Sequence, residues 1–205
     1  MEHTGKENTK FEIYQELGEC YTHVGNIEKA VEHFEAARTI DPLSERPFVG
    51  LGVAVLQQNK TEESKQYFMQ ALAINRNSDT ALTGLAMALS TNGEADAGLV
   101  KYQEAMDINP TNLTALLGLV QTAYNMNAFA PAVTYLKKYI EHYPANAKIL
   151  YCLAGTYYKQ NNLSACREIL DQIFIFKPDH PEAHELLKKL NGGRQEYSYG
   201  RCQNA

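Results

Sequence analysis

The sequence predicts an all-α protein in which antiparallel helix pairs stack into a solenoid, and three observations carry this prediction. Leucines recur every 34 residues, at Leu17, Leu51, Leu85, Leu119 and Leu153. Prolines keep the same period at Pro42, Pro110, Pro144 and Pro178, with Arg76 at the remaining position. Between these columns, apolar residues are spaced by three and four, as on one face of a helix. A fixed period of this length is typical of helix pairs that bury their apolar faces against their neighbours.

The first copy, residues 11–44, shows how each unit is expected to fold. An apolar stripe from Ile13 to Tyr21 has helical spacing. Gly25 interrupts it, as a glycine just past the last periodic residue usually does. A second stripe runs from Ile27 to Ala37, and Pro42 ends it because proline cannot continue a helix. The same pattern predicts further units at residues 45–78, 79–112, 113–146 and 147–180.

The turn inside each later unit carries a glycine or an asparagine, at Asn59, Gly93, Asn127 and Asn161. These two residue types tolerate a positive φ better than the others. The sequence therefore predicts a left-handed backbone at each of these turns.

Both ends of the chain look different from the repeats. Residues 1–10 are predicted to be a polar N-terminal arm. The segment Asp179-His180-Pro181-Glu182 resembles a helix start with proline at the first helical position. It predicts a capping helix over residues 181–192, which Asn191-Gly192-Gly193 would end. Residues 193–205 are then a polar, mobile tail.

The repeated columns closely resemble the tetratricopeptide repeat, whose pattern is a large residue, Leu-Gly, an aromatic, Ala, Phe, Ala and Pro. The first copy matches it at Tyr14, Leu17, Gly18, Tyr21, Ala30, Phe34, Ala37 and Pro42. The resemblance covers Phe11 to about His180. It implies five repeats and a capping helix in a right-handed superhelical solenoid that serves as a protein-interaction scaffold.

Other function classes find little support. The net charge of −5 and the lack of a basic stripe argue against nucleic acid binding. No segment reaches the length of a membrane span, and MEHTGKENTK lacks the apolar stretch of a signal peptide, so a cytoplasmic location and no membrane insertion are expected. There is no GxGxxG, phosphate loop, GxSxG or HExxH, which predicts no catalytic residues, no enzyme activity and no cofactor.

Metal and disulfide chemistry are also not expected. His180 and His184 are four residues apart on a predicted helix, but no third ligand accompanies them. The four cysteines, Cys20, Cys152, Cys166 and Cys202, are scattered and form no CxxC pair. Cys166 falls in a small-residue column and is expected to be a packing residue.

The candidate binding residues come from the first helix of each repeat, which lines the concave face in tetratricopeptide-like stacks. Inward positions follow from helical spacing. They are Glu12, Glu16, Glu19, Val49, Val53, Leu56, Met87, Leu117, Gln121, Tyr124, Tyr151 and Tyr158. The groove would begin acidic, because residues 1–43 hold nine acidic and four basic side chains, and would continue through an apolar middle to a tyrosine-rich end. Glycines at Gly50, Gly84, Gly118 and Gly155 would let another backbone approach.

The sequence thus predicts a non-enzymatic scaffold that binds a helix or peptide of a partner protein in its concave groove. Alternatives are a self-associating assembly scaffold, a secretion or pilus-assembly chaperone, and the repeat segment of a larger enzyme. A chaperone tail is not an expected ligand, because the Lys and Asn clamp of carboxylate-binding family members is replaced by Gln15, Glu19, Gly50, Thr80 and Gly84.

Overall fold

The computed structural model describes residues 2–199, and the side chains of residues 7–192. In that range the chain forms eleven α-helices and no strands. The helices are α1 (Glu2–His23), α2 (Ile27–Ile40), α3 (Arg46–Gln57), α4 (Thr61–Ile74), α5 (Asp79–Thr91), α6 (Ala95–Ile108), α7 (Leu113–Asn125), α8 (Phe129–His142), α9 (Ala147–Lys159), α10 (Leu163–Phe176) and α11 (Pro181–Tyr199). None of the helices within these bounds is both long and apolar enough to cross a membrane.

The predicted all-α architecture of helix pairs is confirmed. The chain divides into two compact units, residues 1–122 and 123–205. In the first unit α1 pairs with α2, α3 with α4 and α5 with α6, while α2 packs on α3 and α4 packs on α5. In the second unit α8 packs on α9, α9 pairs with α10, and α10 packs on α11. The second helix of every pair has 14 residues, and these helices begin 34 residues apart, so the period is kept along the chain.

The predicted left-handed turns are also confirmed. Positive φ angles occur at Asn59 (59°), Asn127 (55°) and Asn161 (58°), and at Gly25 (77°) and Gly93 (86°). Each of these residues follows the first helix of its pair and reverses the chain into the second.

Replacing Gly93 with alanine is expected to lower the free energy of unfolding by about 1 kcal/mol, because an L side chain is strained at positive φ. A Cβ at Gly93 would meet no atom within 4 Å, so backbone strain is the whole effect. Gly192→Ala is the matched control, since that site is equally open but lies in a helix without a positive φ. Urea denaturation followed by circular dichroism measures both changes, and equal stabilities of the two variants would contradict the prediction.

The predicted boundaries at the two ends are wrong. Helix α1 begins at Glu2, so residues 2–10 extend the first helix instead of forming a separate arm. No proline interrupts this polar segment, and the side chains of residues 7–10 are exposed, as suits a solvated helix. Helix α11 starts at Pro181 as predicted, but it continues to Tyr199. Gly192 does not adopt the positive φ with which a glycine ends a helix. Residues 200–205, with Cys202, lie outside the described range.

Aromatic side chains of the second helices wedge between glycines of the first helices. Phe34 lies between Gly18 and Gly50, because a Cβ at either glycine would approach the ring closer than 3.0 Å. Phe68 has the same relation to Gly52 and Gly84. We call Phe34, Phe68 and the similarly placed Tyr102 the wedge aromatics.

The third wedge aromatic, Tyr102, packs against Gly118, and its burial raises the pKa of the phenol to about 12. At Gly50, Gly84 and Gly118 the room expected for a partner's backbone is therefore filled by the protein's own rings. The prediction that these glycines form an open floor is wrong there. The spacing shows that the positions need small residues, but not which side chain occupies the space.

Candidate functional site

An open cavity of about 290 Å³ lies in the first unit, where residues of α1, α2, α3 and α5 meet. Its apolar lining consists of Phe34, Val49, Gly50 and Val53. Phe34 is fixed between two glycines, so this part of the lining is formed without any ligand. Val53 keeps 37% of its surface exposed and is accessible to a ligand. An apolar side chain that is partly exposed at the edge of such a cavity is a candidate for ligand contact.

The rim of the cavity is polar. It is formed by Glu19, Thr22, His23, Arg46 and Thr80. Thr22 donates a hydrogen bond of 2.8 Å to the carbonyl oxygen of Gly18, and His23 Nδ1 donates one of the same length to the carbonyl oxygen of Glu19. These local bonds orient both side chains at the end of α1.

Arg46 is held in place by α1. Its guanidinium donates to Glu12 Oε1 at 2.7 Å and lies 5.4 Å from the centre of the Phe11 ring. The hydrogen bond lowers the pKa of the Glu12 carboxyl and raises the pKa of Arg46. Glu12, predicted as a binding residue of the groove, is therefore already paired within the protein. Glu16 and Glu19 are exposed.

The other predicted residues of the first unit fall into two groups. Leu56 is half-buried and packs on the cluster of Phe68, Leu85 and Ala88, so it contributes to the core as well as to the surface. Met87, Leu117 and Gln121 are exposed but do not line the cavity. Helical spacing identifies residues on one face of the first helices, but it does not separate those that line the cavity from those beside it.

The positions of two side chains, Gln15 and Phe34, differ from what the repeat pattern predicts. Gln15 occupies an inward position, yet it is buried and its Nε2 has no hydrogen-bond partner among the described atoms. Phe34 belongs to a second helix, so the first-helix rule did not select it, although it lines the cavity. The 32-residue separation of Gly18 from Gly50, repeated by Gly52 and Gly84, is the sequence signal that could have found the wedge.

The three tyrosines predicted at the end of the groove belong to the second unit. Tyr124 shares a 3.1 Å hydrogen bond with Thr156 Oγ1 and meets Phe129 edge-on, with ring centres 5.2 Å apart. Tyr151 stacks on His180, with ring centres 5.5 Å apart. Burial is the main cause that raises the pKa of both Tyr124 and Tyr151. Tyr158 is exposed.

A second cavity of about 270 Å³ lies beside Tyr151 in this unit. It is lined by Lys148, Tyr151, Cys152, Lys177, His180 and Glu182. His180 Nδ1 lies 3.0 Å from Glu182 Oε2 but lacks the alignment of a hydrogen bond. The lining mixes cations with a carboxylate and has a single stacked aromatic pair.

The two histidines considered as metal ligands have separate surroundings. His184 Nε2 donates to the carbonyl oxygen of Pro178 at 2.8 Å, and its ring stacks on Phe174. His180 stacks instead on Tyr151. Across the described residues no three His, Cys, Asp or Glu side chains are grouped to hold a metal ion. Cys166 is fully buried, as expected of a packing residue.

Family models described as tetratricopeptide repeat match residues 11–44, 46–78 and 126–190. The chain belongs to the tetratricopeptide repeat family. Proteins of this family are generally non-catalytic scaffolds for protein–protein interactions. The helix pairs, the positive-φ turns and the aromatic–glycine wedges described above are the local form that the repeat takes in this chain.

Solved structures share the fold. YrrB, a tetratricopeptide protein with an unusual peptide-binding site, is 21% identical with a TM-score of 0.62, over 85% of this chain and 90% of that one. PilF of Pseudomonas aeruginosa is 18% identical with a TM-score of 0.72, over 94% and 88%. The first tetratricopeptide domain of Spaghetti (RPAP3), bound to the HSP90 peptide SRMEEVD, is 18% identical with a TM-score of 0.52, over 58% and 94%. A search of curated protein sequences finds no significant match.

Proposed function

We propose that this protein is a scaffold that binds a segment of a partner protein at the cavity of the first unit. The observation that carries the proposal is the preformed apolar lining, made by Phe34, Val49 and Val53, beside a rim with the exposed carboxylate of Glu19. The ligand would be a helix or extended segment that inserts one large apolar side chain. A lysine or arginine next to that anchor would face Glu19.

The apolar anchor of the ligand and its charged neighbour are expected to contribute differently to binding. Burying an aliphatic anchor of leucine size contributes about 1.5–3 kcal/mol. The Glu19 carboxylate is exposed, so it contributes more to the association rate and to the choice of partner than to affinity. Arg46 pairs with Glu12, so the acidic group that α1 itself places on the cavity is the Glu19 carboxylate.

The comparisons support the class of function rather than the ligand. YrrB and the Spaghetti domain are proteins of this fold for which a peptide site or a bound peptide is described. Met87, Leu117 and Gln121 stay predicted contacts of a longer ligand, and Tyr124, Tyr151 and Tyr158 stay predicted contacts of the second unit. A cytoplasmic location and self-association also stay predictions.

The test is a selection of displayed random peptides on the immobilised full chain, followed by affinity measurement with Val53→Asp. We expect selected peptides to share a large apolar residue near a lysine or arginine. Val53→Asp should weaken them at least about tenfold, because a carboxylate replaces an apolar contact and must lose water.

Val100→Asp is the matched control, since Val100 is 49% exposed on α6 and does not line the cavity. Both variants should keep the wild-type far-UV circular dichroism. If the peptides bind wild type and Val53→Asp equally, the cavity is not the binding site and the proposal is overturned.

A further inference from the structure

Helix α1 exposes an apolar stripe on a face that does not line the cavity. Ile13, Leu17 and Cys20 follow one another at intervals of four and three residues, so they lie along one side of the helix. Ile13 is 48% exposed and Leu17 is 37% exposed. Cys20 is exposed as well. We call these three residues the α1 stripe.

The same columns are buried in the following repeats. Leu51 and Ala54, the counterparts of Leu17 and Cys20 in α3, pack on Ile27, Ala30 and Phe34 of α2. In α5 the counterparts Leu85 and Ala88 pack on Phe68 of α4. This face of a first helix is therefore the surface that receives a second helix. The α1 stripe continues that interface, but it is open to solvent.

One column of the repeat indicates the chemistry of a helix that could cover the α1 stripe. Gly50, Gly84 and Gly118 are the glycines against which the wedge aromatics pack. In α1 the corresponding residue, 34 positions before Gly50, is Glu16, and it is exposed. A covering helix with an aromatic ring at that point would meet a charged side chain instead of open space, and would strip water from its carboxylate.

Charge makes α1 unlike the other first helices of its unit. The only charged residue of α3 is Arg46, and the only charged residue of α5 is Asp79. The aligned part of α1, residues 12–23, carries Glu12, Glu16 and Glu19 along one edge of the stripe. Arg46 pairs with Glu12. A complementary helix needs a cation where the internal covering helices have an aromatic ring.

We propose that the α1 stripe is a second docking surface, which takes an amphipathic helix of a partner protein. That helix places small or aliphatic residues on Ile13, Leu17 and Cys20, and a lysine or arginine opposite Glu16. Its geometry is that of α2 on α3, with the aromatic wedge replaced by an ion pair. The surface is separate from the cavity, since none of the stripe residues lines it.

The probe is a peptide with the sequence of Ile27–Ile40, the chain's own covering helix, in which Phe34→Arg is introduced. Glu32→Lys allows a lactam to Glu28 that holds the short peptide helical, because both positions are exposed in α2. A matched peptide keeps Phe34. Both carry fluorescein, and fluorescence anisotropy with the full-length protein measures their binding.

The peptide with arginine is expected to bind at least about tenfold more tightly than the peptide with Phe34. Glu16→Gly, which restores the glycine of the column, should reverse that order. Leu17→Asp should abolish binding of the arginine peptide, and Val53→Asp should leave it unchanged. The last pair of variants separates this surface from the cavity, so either proposal can fail alone.

Three results would overturn the inference. One is the lack of saturable binding of the arginine peptide, or equal affinities for both peptides. Another is binding that is lost in Val53→Asp but kept in Leu17→Asp, which would place the peptide in the cavity. The third is a dimer in sedimentation velocity that Leu17→Asp dissociates, because the occupant would then be a second copy of this chain.

Discussion

Gly84→Ala is expected to lower the free energy of unfolding by about 2 kcal/mol, although alanine is the better helix former. A Cβ at this position would fall inside the contact distance of the Phe68 ring, which is fully buried between Gly52 and Gly84. The ring cannot move away without separating two helices. Overpacking of this kind outweighs the gain of about 1 kcal/mol that a helical glycine normally offers on replacement.

The control is Gly155→Ala in α9. A Cβ there would meet only Tyr124 Oη, at 3.6 Å, which is an ordinary contact. This variant should gain about 0.5–1 kcal/mol from helix propensity alone. Adding Phe68→Leu to Gly84→Ala should recover part of the loss, because a smaller side chain leaves room for the methyl group. Urea denaturation of all three variants decides the matter, and a Gly84→Ala protein as stable as Gly155→Ala would show that the wedge is not tight.

Leu51→Ala and Leu17→Ala are expected to differ widely, although the two leucines share a column and both precede a glycine. Leu51 has no exposed surface and packs in the cluster with Phe34, so its truncation should cost about 3 kcal/mol through lost burial and the cavity left behind. Leu17 is partly exposed on the α1 stripe, and its truncation should cost less than about 1 kcal/mol.

Thermal and urea denaturation of the two alanine variants measure this difference. A large loss in Leu17→Ala would mean that the stripe is covered in the protein alone, and it would contradict the open surface on which the second docking site depends. If a helical partner binds there, Leu17→Ala should weaken that binding while leaving the fold intact. The pair thus separates a leucine that stabilises the fold from one that is available for recognition.

The turns show how far local chemistry alone can predict the structure. Asn59, Gly93, Asn127 and Asn161 were expected at positive φ because few other residues tolerate it, and all four adopt it. The second helix of each repeat also begins where the periodic pattern begins. Such features depend on residues a few positions apart, so one sequence contains all the information they need.

The surroundings of the candidate binding residues were predicted less completely, and each difference has a tertiary cause. Glu12 has the spacing of an exposed groove carboxylate, but Arg46 from the next repeat pairs with it. Leu56 has the spacing of a groove residue, but a neighbouring cluster half-buries it. Phe34 lies outside the first helices and was not selected, although it forms part of the cavity.

The sequence by itself determined the repeat, its length, the helix pairs and the turns, because periodicity and backbone preference act within each unit. Only the tertiary structure decided which side chain fills the space beside each glycine and which leucine of a common column stays open to solvent. These outcomes depend on contacts between neighbouring repeats. A column of identical leucines cannot reveal that Leu51 is covered by α2 while Leu17 is exposed, because the difference lies in the neighbour and not in the residue.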